Sequence, residues 1–312
     1  MVRALRLSDA DACLTLWNRV SPAKFAIDAA QLSINVFGSP LWLTDLSFAI
    51  GDPLTAFAVM KRSGFGMYPG PEESWLHLSC LVYEDPHDGA QLLDAILNVA
   101  HARAATKLFY GQDLRHFWPG VPEEMPALKE LLASRGFQAG DTNVDLERDM
   151  KEYMAPENVY ARIGDAQLRA CSVADVPLLE EFLKREFPRR WWYDVMNKIE
   201  IEGRPECVFG VFVDGVCEGF AITHEDGCKM PIGGAVWHVD MGPGWGSLGP
   251  IGVSERVRGR GLGNAILAFG LEGLRDRGVR QCIIDWTTLV DFYGLHGFKP
   301  TRIYTPFSID LA

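Results

Sequence analysis

Glycine stands at 259, 261 and 263, interleaved with Arg258, Arg260 and Leu262, and Asn264 opens an amphipathic run immediately afterwards. An apolar run ends at Val253, just upstream. Glycines at this spacing let successive backbone N–H groups turn toward one point with no side chain in the way, and the start of the following helix adds a positive dipole end. The chemistry so favoured is cradling of a phosphate or pyrophosphate. The same spacing also suits a turn that merely packs a helix closely on a strand. A dinucleotide fingerprint needs its third glycine at 264 or 266, where Asn264 and Ile266 stand, and no Gly-Lys-Ser/Thr triplet supports a nucleotide P-loop. Downstream, Asp285 stands alone among the hydrophobic residues of CIIDW, a place where a carboxylate is costly unless it meets a cation or hydrogen-bond donors.

Elements that would position these residues can be read around them. Leu178, Leu179, Phe182 and Leu183 share one face of a helix from Asp175 to about Phe187. CVFGVFVDGVCEGFAIT reads as two strands joined by Asp214-Gly215, a type I′ hairpin signal. AVWHVDM and SLGPIGV, between Gly233 and Val253, read as two more strands, the first placing His238 and Asp240 on one face. A helix from Asn264 to Arg277 is stopped by Gly278, and CIIDW follows as a buried strand. The succession predicts an α/β or α+β fold with a mixed, mostly antiparallel sheet flanked by helices.

The chain is also self-similar. RALRLSDADACLTLW from Arg3 aligns with RACSVADVPLLEEFL from Arg169, matching Arg3 to Arg169 and Asp9 to Asp175, and LLASRGF parallels FYGLHGF in the same order. A duplicated domain follows, with residues 1–150 as the first copy, 151–163 as linker and 164–312 as the second. The first copy lacks the glycine loop: from Val82 onward, His87, Ala90 and Leu92 occupy the places of Arg258, Gly261 and Gly263, and Leu132 that of Tyr293. Across all 312 residues the formal net charge is −11, against a nucleic-acid partner, and the seven scattered cysteines include no C-x-x-C pair. No signal-peptide pattern or long uncharged apolar window is present, so the expected setting is the cytoplasm, with neither membrane nor metal involved.

Val253, Arg258, Gly261 and Gly263 fit V-x-x-x-x-R-x-x-G-x-G, and Phe292, Tyr293, Gly297 and Phe298 fit F-Y-x-x-x-G-F. Together they resemble the signature of the GNAT superfamily of N-acetyltransferases. The resemblance implies tandem GNAT-like domains with acetyl-CoA as co-substrate, bound in the second only. It implies that Ile251, Gly252 and Val253 pair with the pantetheine arm, and that Arg258, Gly259, Arg260, Gly261, Leu262, Gly263 and Asn264 hold the pyrophosphate. Tyr293 would protonate the departing thiolate, which suits a phenol that stays neutral near pH 7. The chain departs from the family pattern at Trp286, where an Asn is usual, and at Ser247, near the usual place of a Glu base. Candidate bases are therefore Asp285, His238, Asp240 or an ordered water.

Trp191, Trp192 and Tyr193, in PRRWWYD, offer aromatic planes beside charges, suited to a sugar face or a cationic amine and equally to a core. WHVDMG, GSLGPIGVSERVRG and IDWTTLVDFYGLHGFKP resemble segments of bacterial glucosamine or glucosaminide N-acetyltransferases. The expected acceptor is a small primary amine, an amino sugar first. Protein or peptide acetylation and an acyl-CoA-binding regulatory module are the alternatives.

Overall fold

The structure, a computed structural model, describes residues 1–229 and 237–311. Elements are numbered in chain order. The first half carries β1 (Val2–Ala4), α1 (Ala10–Val20), α2 (Ala29–Leu32), β2 (Phe48–Gly51), β3 (Leu54–Arg62), β4 (Trp75–Tyr83), α3 (Pro86–Ala102), β5 (Lys107–Tyr110), β6 (Val121–Pro122), α4 (Pro126–Ser134), β7 (Gln138–Ala139) and β8 (Asn143–Asp149). The second carries β9 (Gln167–Ala170), α5 (Val176–Glu186), α6 (Arg190–Glu202), β10 (Val208–Val213), β11 (Val216–Glu225), α7 (His238–Met241), β12 (Trp245–Val253), α8 (Leu262–Asp276), β13 (Gln281–Thr287), α9 (Val290–Gly294), β14 (Lys299–Thr305) and β15 (Phe307–Asp310). This is the mixed α/β succession expected, and it occurs twice.

Two compact units result. One sheet runs β1-β2-β3-β4-β5-β15-β7; the other runs β6-β14-β8-β13-β12-β11-β10-β9. The expected division at 151–163 therefore meets an exchange of ends. The C-terminal β15 pairs antiparallel with β5 and β7, and β8, from the end of the first half, lies beside β13. Residues 145–229 and 242–301 group as one unit, and 1–144, 237–241 and 302–311 as the other.

The matched residues of the two copies have a common physical purpose. Arg3 donates to both oxygens of Asp9, at 2.8 and 2.9 Å, while Asp9 Oδ2 accepts the Arg6 N–H. Arg169 forks onto Asp175 in the same way, and Asp175 accepts the Ser172 N–H at 2.8 Å. Each carboxylate closes the turn ahead of α1 or α5 and ties it to the first strand of its sheet, which is why the pair recurs at one spacing. The predicted hairpin is also present: Val213 pairs with Val216 across Asp214 and Gly215, both at positive φ.

The second unit's core lies between β10–β11 and α5–α6, around Leu179, Phe182, Leu183, Val195, Val208, Phe220 and Ile222. No described helix is long and apolar enough to cross a membrane.

Candidate active site

In the second unit β12 and β13 part company. They run parallel over three pairs, Trp245↔Gln281, Gly246↔Cys282 and Ser247↔Ile283, and beyond these no pairing joins them. On its other side β12 stays laddered to β11 as far as Val253↔Gly219. The register slips between Ala221↔Ile251 and Thr223↔Leu248, so Gly249 and Pro250 form a bulge opposite Ile222. Past this bulge, alternate N–H and C=O groups of Ile251–Val253 face the gap instead of a neighbouring strand. These are the residues expected to meet the pantetheine arm.

His224, on β11, touches the bulge from within the sheet. Its Nε2–H donates to the Gly249 carbonyl at 3.2 Å. Burial, with Lys198 nearby, pushes its pKa down to about 3, so the ring stays neutral and in the tautomer that supports this bond. Its partner lies 25 residues away, so nothing local in the sequence marks the role.

At the end of β12 the chain turns through Glu255–Val257 into the glycine loop. Gly259 and Gly261 lie at φ +81° and +79°, the left-handed region that favours glycine. Gly261 is the residue before α8, which begins at Leu262 rather than at the expected Asn264, and no side chain caps this helix start. The N–H groups of its first turn are thus left for another acceptor. Arg258 pairs with Glu255 at 3.2 Å. Arg260 is turned away, donating to Asp165 Oδ1 at 2.7 Å and to the Ile163 carbonyl at 3.1 Å. Arg162, from the expected linker, instead donates to the Gly259 carbonyl at 2.8 Å. Asn264 Oδ1 lies 3.3 Å from His296 Nε2, and the Tyr153 hydroxyl lies 3.0 Å from the other ring nitrogen.

The first unit shows the same parting of strands with different contents. β4 and β5 pair in parallel over Trp75–Leu78, after which β4 continues to Tyr83 paired with β3 alone. Ser79 Oγ donates to Asp113 Oδ2 at 3.0 Å, and the buried Lys61 ammonium binds the same oxygen. At the start of α3 the Asp85 carboxylate accepts the His87 N–H at 2.8 Å, so a side-chain anion sits where the second unit has a bare glycine.

Asp285 lies across the mouth of the second unit's gap. A Cβ placed on Gly249 would stand 4.0 Å from Asp285 Oδ1. Burial first, then the charge of Asp145, with a smaller contribution from Asp194, raises the Asp285 carboxyl to about 7, and Arg190 opposes the rise. Asp145 and Asp194 are nearly buried. They come from β8 and from the first turns of α6, where Asp194 Oδ2 accepts from Arg190 Nε at 3.1 Å. The Arg190 guanidinium lies 5.3 Å from the centre of the Trp286 ring. Sequence reading missed Asp145 and Asp194 as neighbours of Asp285, since strand exchange brings the one and helix α6 the other.

Tyr293, on α9, is 5% exposed, and burial together with the Asp285 charge pushes its phenol up. The adjacent Phe292 reaches back to the glycine loop, where a Cβ on Gly263 would lie 4.0 Å from its ring. Tyr293, Asp285, Ile251–Val253 and the loop 258–264 therefore all belong to the second unit.

The aromatic run divides. Successive helical residues are turned by about 100°, so Trp191, Trp192 and Tyr193 cannot all face one ligand. Trp191 packs on Phe187, centroids 4.8 Å apart, and the two cover Gly252, whose added Cβ would stand 2.6 Å from the Phe187 ring and 3.2 Å from that of Trp191. Trp192 is half-buried against the α5–β11 core.

His238 and Asp240 belong to the other unit. The strand expected through AVWHVDM is, where described, helix α7, because Asp240 and Met241 N–H groups donate to the Trp237 carbonyl and not to a neighbouring strand. Ala235 and Val236 lie outside the described residues. His238 Nε2 is 2.9 Å from Asp28, and Asp240 takes a 2.6 Å bond from the buried Arg302. Among the described residues no group of His, Cys, Asp and Glu is arranged to hold a metal ion.

Comparison with known proteins places this geometry. A family model described as acetyltransferase (GNAT) family matches residues 175–298. No curated protein matches the chain. Among solved structures, a glucosamine N-acetyltransferase region of a fungal multi-domain GH3 β-N-acetylglucosaminidase superposes with a TM-score of 0.85 at 19% identity, over 99% of this chain. The chain spans 38% of that protein's length. A GCN5-related N-acetyltransferase from Sphaerobacter thermophilus gives 0.71 at 14% identity, covering 100% of this chain and 95% of the other. A tandem GNAT protein from the clavulanic acid biosynthesis pathway gives 0.66 at 12%, covering 100% and 98%. Residues 175–298 thus match the GNAT acetyltransferase family model, in a chain whose fold is shared over its whole length with a tandem GNAT protein.

Proposed function

We propose that this protein transfers the acetyl group of acetyl-CoA to a small primary amine, and that the second unit alone performs the chemistry. The observation that carries this reading is the placement of Asp285, a carboxylate with a pKa near 7, opposite the bulge where β12 leaves β13. The residues present fit acetyl-CoA. Ile251–Val253 offer backbone partners to an extended amide-bearing arm, and the uncapped start of α8 with Gly259 and Gly261 offers N–H groups to phosphate oxygens. Arg258 supports that charge. Arg162 replaces Arg260 beside the loop, since Arg260 is committed to Asp165.

At neutral pH Asp285 is near the midpoint of its titration, so it accepts a proton from an ammonium group and passes it on to water. Freed of that proton, the amine attacks the thioester carbonyl, forming the amide C–N bond as the C–S bond breaks; the second proton that the nitrogen then sheds passes to water, from which Tyr293 recovers the one it gives to sulfur. Tyr293, kept protonated by burial, donates its hydroxyl proton to the leaving sulfur. Asp145 and Asp194 add negative charge beside Asp285, and the recess therefore favours a cationic acceptor. Trp191 covers Gly252 and serves the wall of the cofactor cleft. His238 and Asp240, held by Asp28 and Arg302 in the first unit, are given no part in the proton path.

Within the class of small amines an amino sugar is the first choice, supported by the name of the fungal structure with the same fold. A screen of glucosamine, glucosaminide oligomers, polyamines, amino acids and lysine peptides, read by release of free CoA, tests it. Turnover of an amino sugar is the expected outcome. Turnover of peptides alone refutes the acceptor class, and acetyl-CoA binding without any turnover refutes the enzyme reading.

A further inference from the structure

Asp145 lies outside the segment that matches the GNAT family, on a strand contributed by the first half of the chain. It is 2% exposed, and its Oδ1 accepts the Trp286 backbone N–H at 3.0 Å. Trp286 sits at φ +42°, in the left-handed region a bulky residue seldom adopts, at the point where β13 would otherwise continue its regular alternation. The residue immediately before it is Asp285. Such a backbone conformation persists only where its surroundings hold it, and a buried carboxylate on the Trp286 N–H is a specific restraint of that kind.

We infer that Asp145 is a positioning residue for the proposed base: by holding the left-handed turn at Trp286 it aims the Asp285 carboxyl at Gly249, across the gap between β12 and β13. The inference rests on the reading of Asp285 as base. It has a second, electrostatic consequence, because a carboxylate so placed also disfavours loss of the Asp285 proton. The charged and titratable groups that reach Asp285 are Asp145 on β8, Arg190 and Asp194 on α6, and Tyr293 on α9. Arg190 and a backbone hydrogen bond oppose the rise in its pKa. Asp145 is thus at once a hydrogen-bond acceptor and a charge, and two substitutions separate the roles. Asp145→Asn keeps an oxygen for the Trp286 N–H and removes the charge. Asp145→Ala removes both.

The test uses the full chain with saturating acetyl-CoA and the fastest amine of the screen, glucosamine tried first, with initial rates from pH 5 to 9 for the wild type, both Asp145 variants and Asp285→Asn. Using one amine throughout cancels its own titration from every comparison. In Asp145→Asn the acid limb of kcat/KM should move to lower pH by about one unit, with the plateau kcat reduced by no more than about threefold. In Asp145→Ala the plateau kcat should fall about tenfold or more, as a positioned base is lost from its place. A purely structural role would lower the yield of active protein and leave the limb where it is. If Asp145→Asn does not fold, the same substitutions are made on a Trp286→Gly background, where glycine adopts the turn unaided. There Asp145→Asn should still shift the limb, and Asp145→Ala should cost no more kcat than Asp145→Asn. An unmoved limb in Asp145→Asn, with Asp285→Asn inactive, overturns the inference and leaves the base standing. A full penalty for Asp145→Ala on the glycine background overturns the turn-holding role. Wild-type activity and pH profile in Asp285→Asn overturn the base, and the inference with it.

Discussion

Replacing Asp285 by Asn should make the protein more stable while removing its activity, and the gain should depend on pH in a direction fixed by the structure. The carboxyl ionises near 3.8 in an unfolded chain and at about 7 in the folded one. Between these values the native state holds a proton that the unfolded state has released. Linkage then makes unfolding easier as pH rises through that window, and the penalty is complete above it. Three units at about 1.36 kcal/mol each give roughly 4 kcal/mol, an upper figure because Asp285 remains partly exposed and its neighbours relax. Urea unfolding of wild type and Asp285→Asn at pH 4.5 and pH 8 reads it directly. The variant's advantage should be small at the lower pH and larger by about 2–4 kcal/mol at the higher. Equal differences at both values would show that burial and Asp145 do not hold the proton on Asp285, and the case for it as base would go too.

Tyr293→Phe should leave the acetyl-CoA dissociation constant unchanged by calorimetry and lower kcat by about 100-fold, since only proton donation is removed. Gly261→Val should keep the fold, because the nearest atom to a new Cβ is Arg162 Cβ at 3.7 Å, but a side chain at φ +79° costs about 1–2 kcal/mol of stability. Titrations should show one acetyl-CoA site per wild-type chain, weakened about tenfold or more in Gly261→Val. Lys61→Met in the first unit should cost about 3–5 kcal/mol in denaturant unfolding at neutral pH, because it strands the fully buried Asp113.

The readable parts of this molecule are those whose cause is local. Glycines at 259 and 261 announce their loop because only a left-handed backbone needs them there, and Asp214-Gly215 announces its hairpin for the same reason. Arg3–Asp9 and Arg169–Asp175 expose the duplication because each closes a turn within six residues. What stayed hidden depends on partners distant in sequence. β8 and β15 look like the strands they follow, and no pattern within five or six residues says which sheet will receive them. Asp145 reaches Asp285 only through that exchange. His238–Met241 is a single turn of helix, too short to show a period of 3.6, and reads as alternation. Arg260 matched a phosphate-binding pattern, yet Asp165 lay close enough to claim it.

The two copies treat the parting of their strands differently. In the first unit the parting of β4 and β5 is closed by Lys61, Asp113 and Ser79, so the buried carboxylate has its counter-charge and its pKa is held below the ordinary range, with the neighbouring cation opposing the effect of burial. At the start of α3, Asp85 supplies the anion that the helix favours. In the second unit a glycine precedes α8 in place of a capping carboxylate, and Asp145 and Asp194 raise the Asp285 pKa against Arg190 and a backbone hydrogen bond. A carboxylate so placed is expensive for the fold and suits the proposed acceptor of protons, and the uncapped helix start suits the proposed phosphate. On the proposed reading, acetyl-CoA binding and proton transfer depend on the uncapped start of α8 and on Asp285, and installing the first unit's cap and counter-charge there should abolish function before it harms the fold.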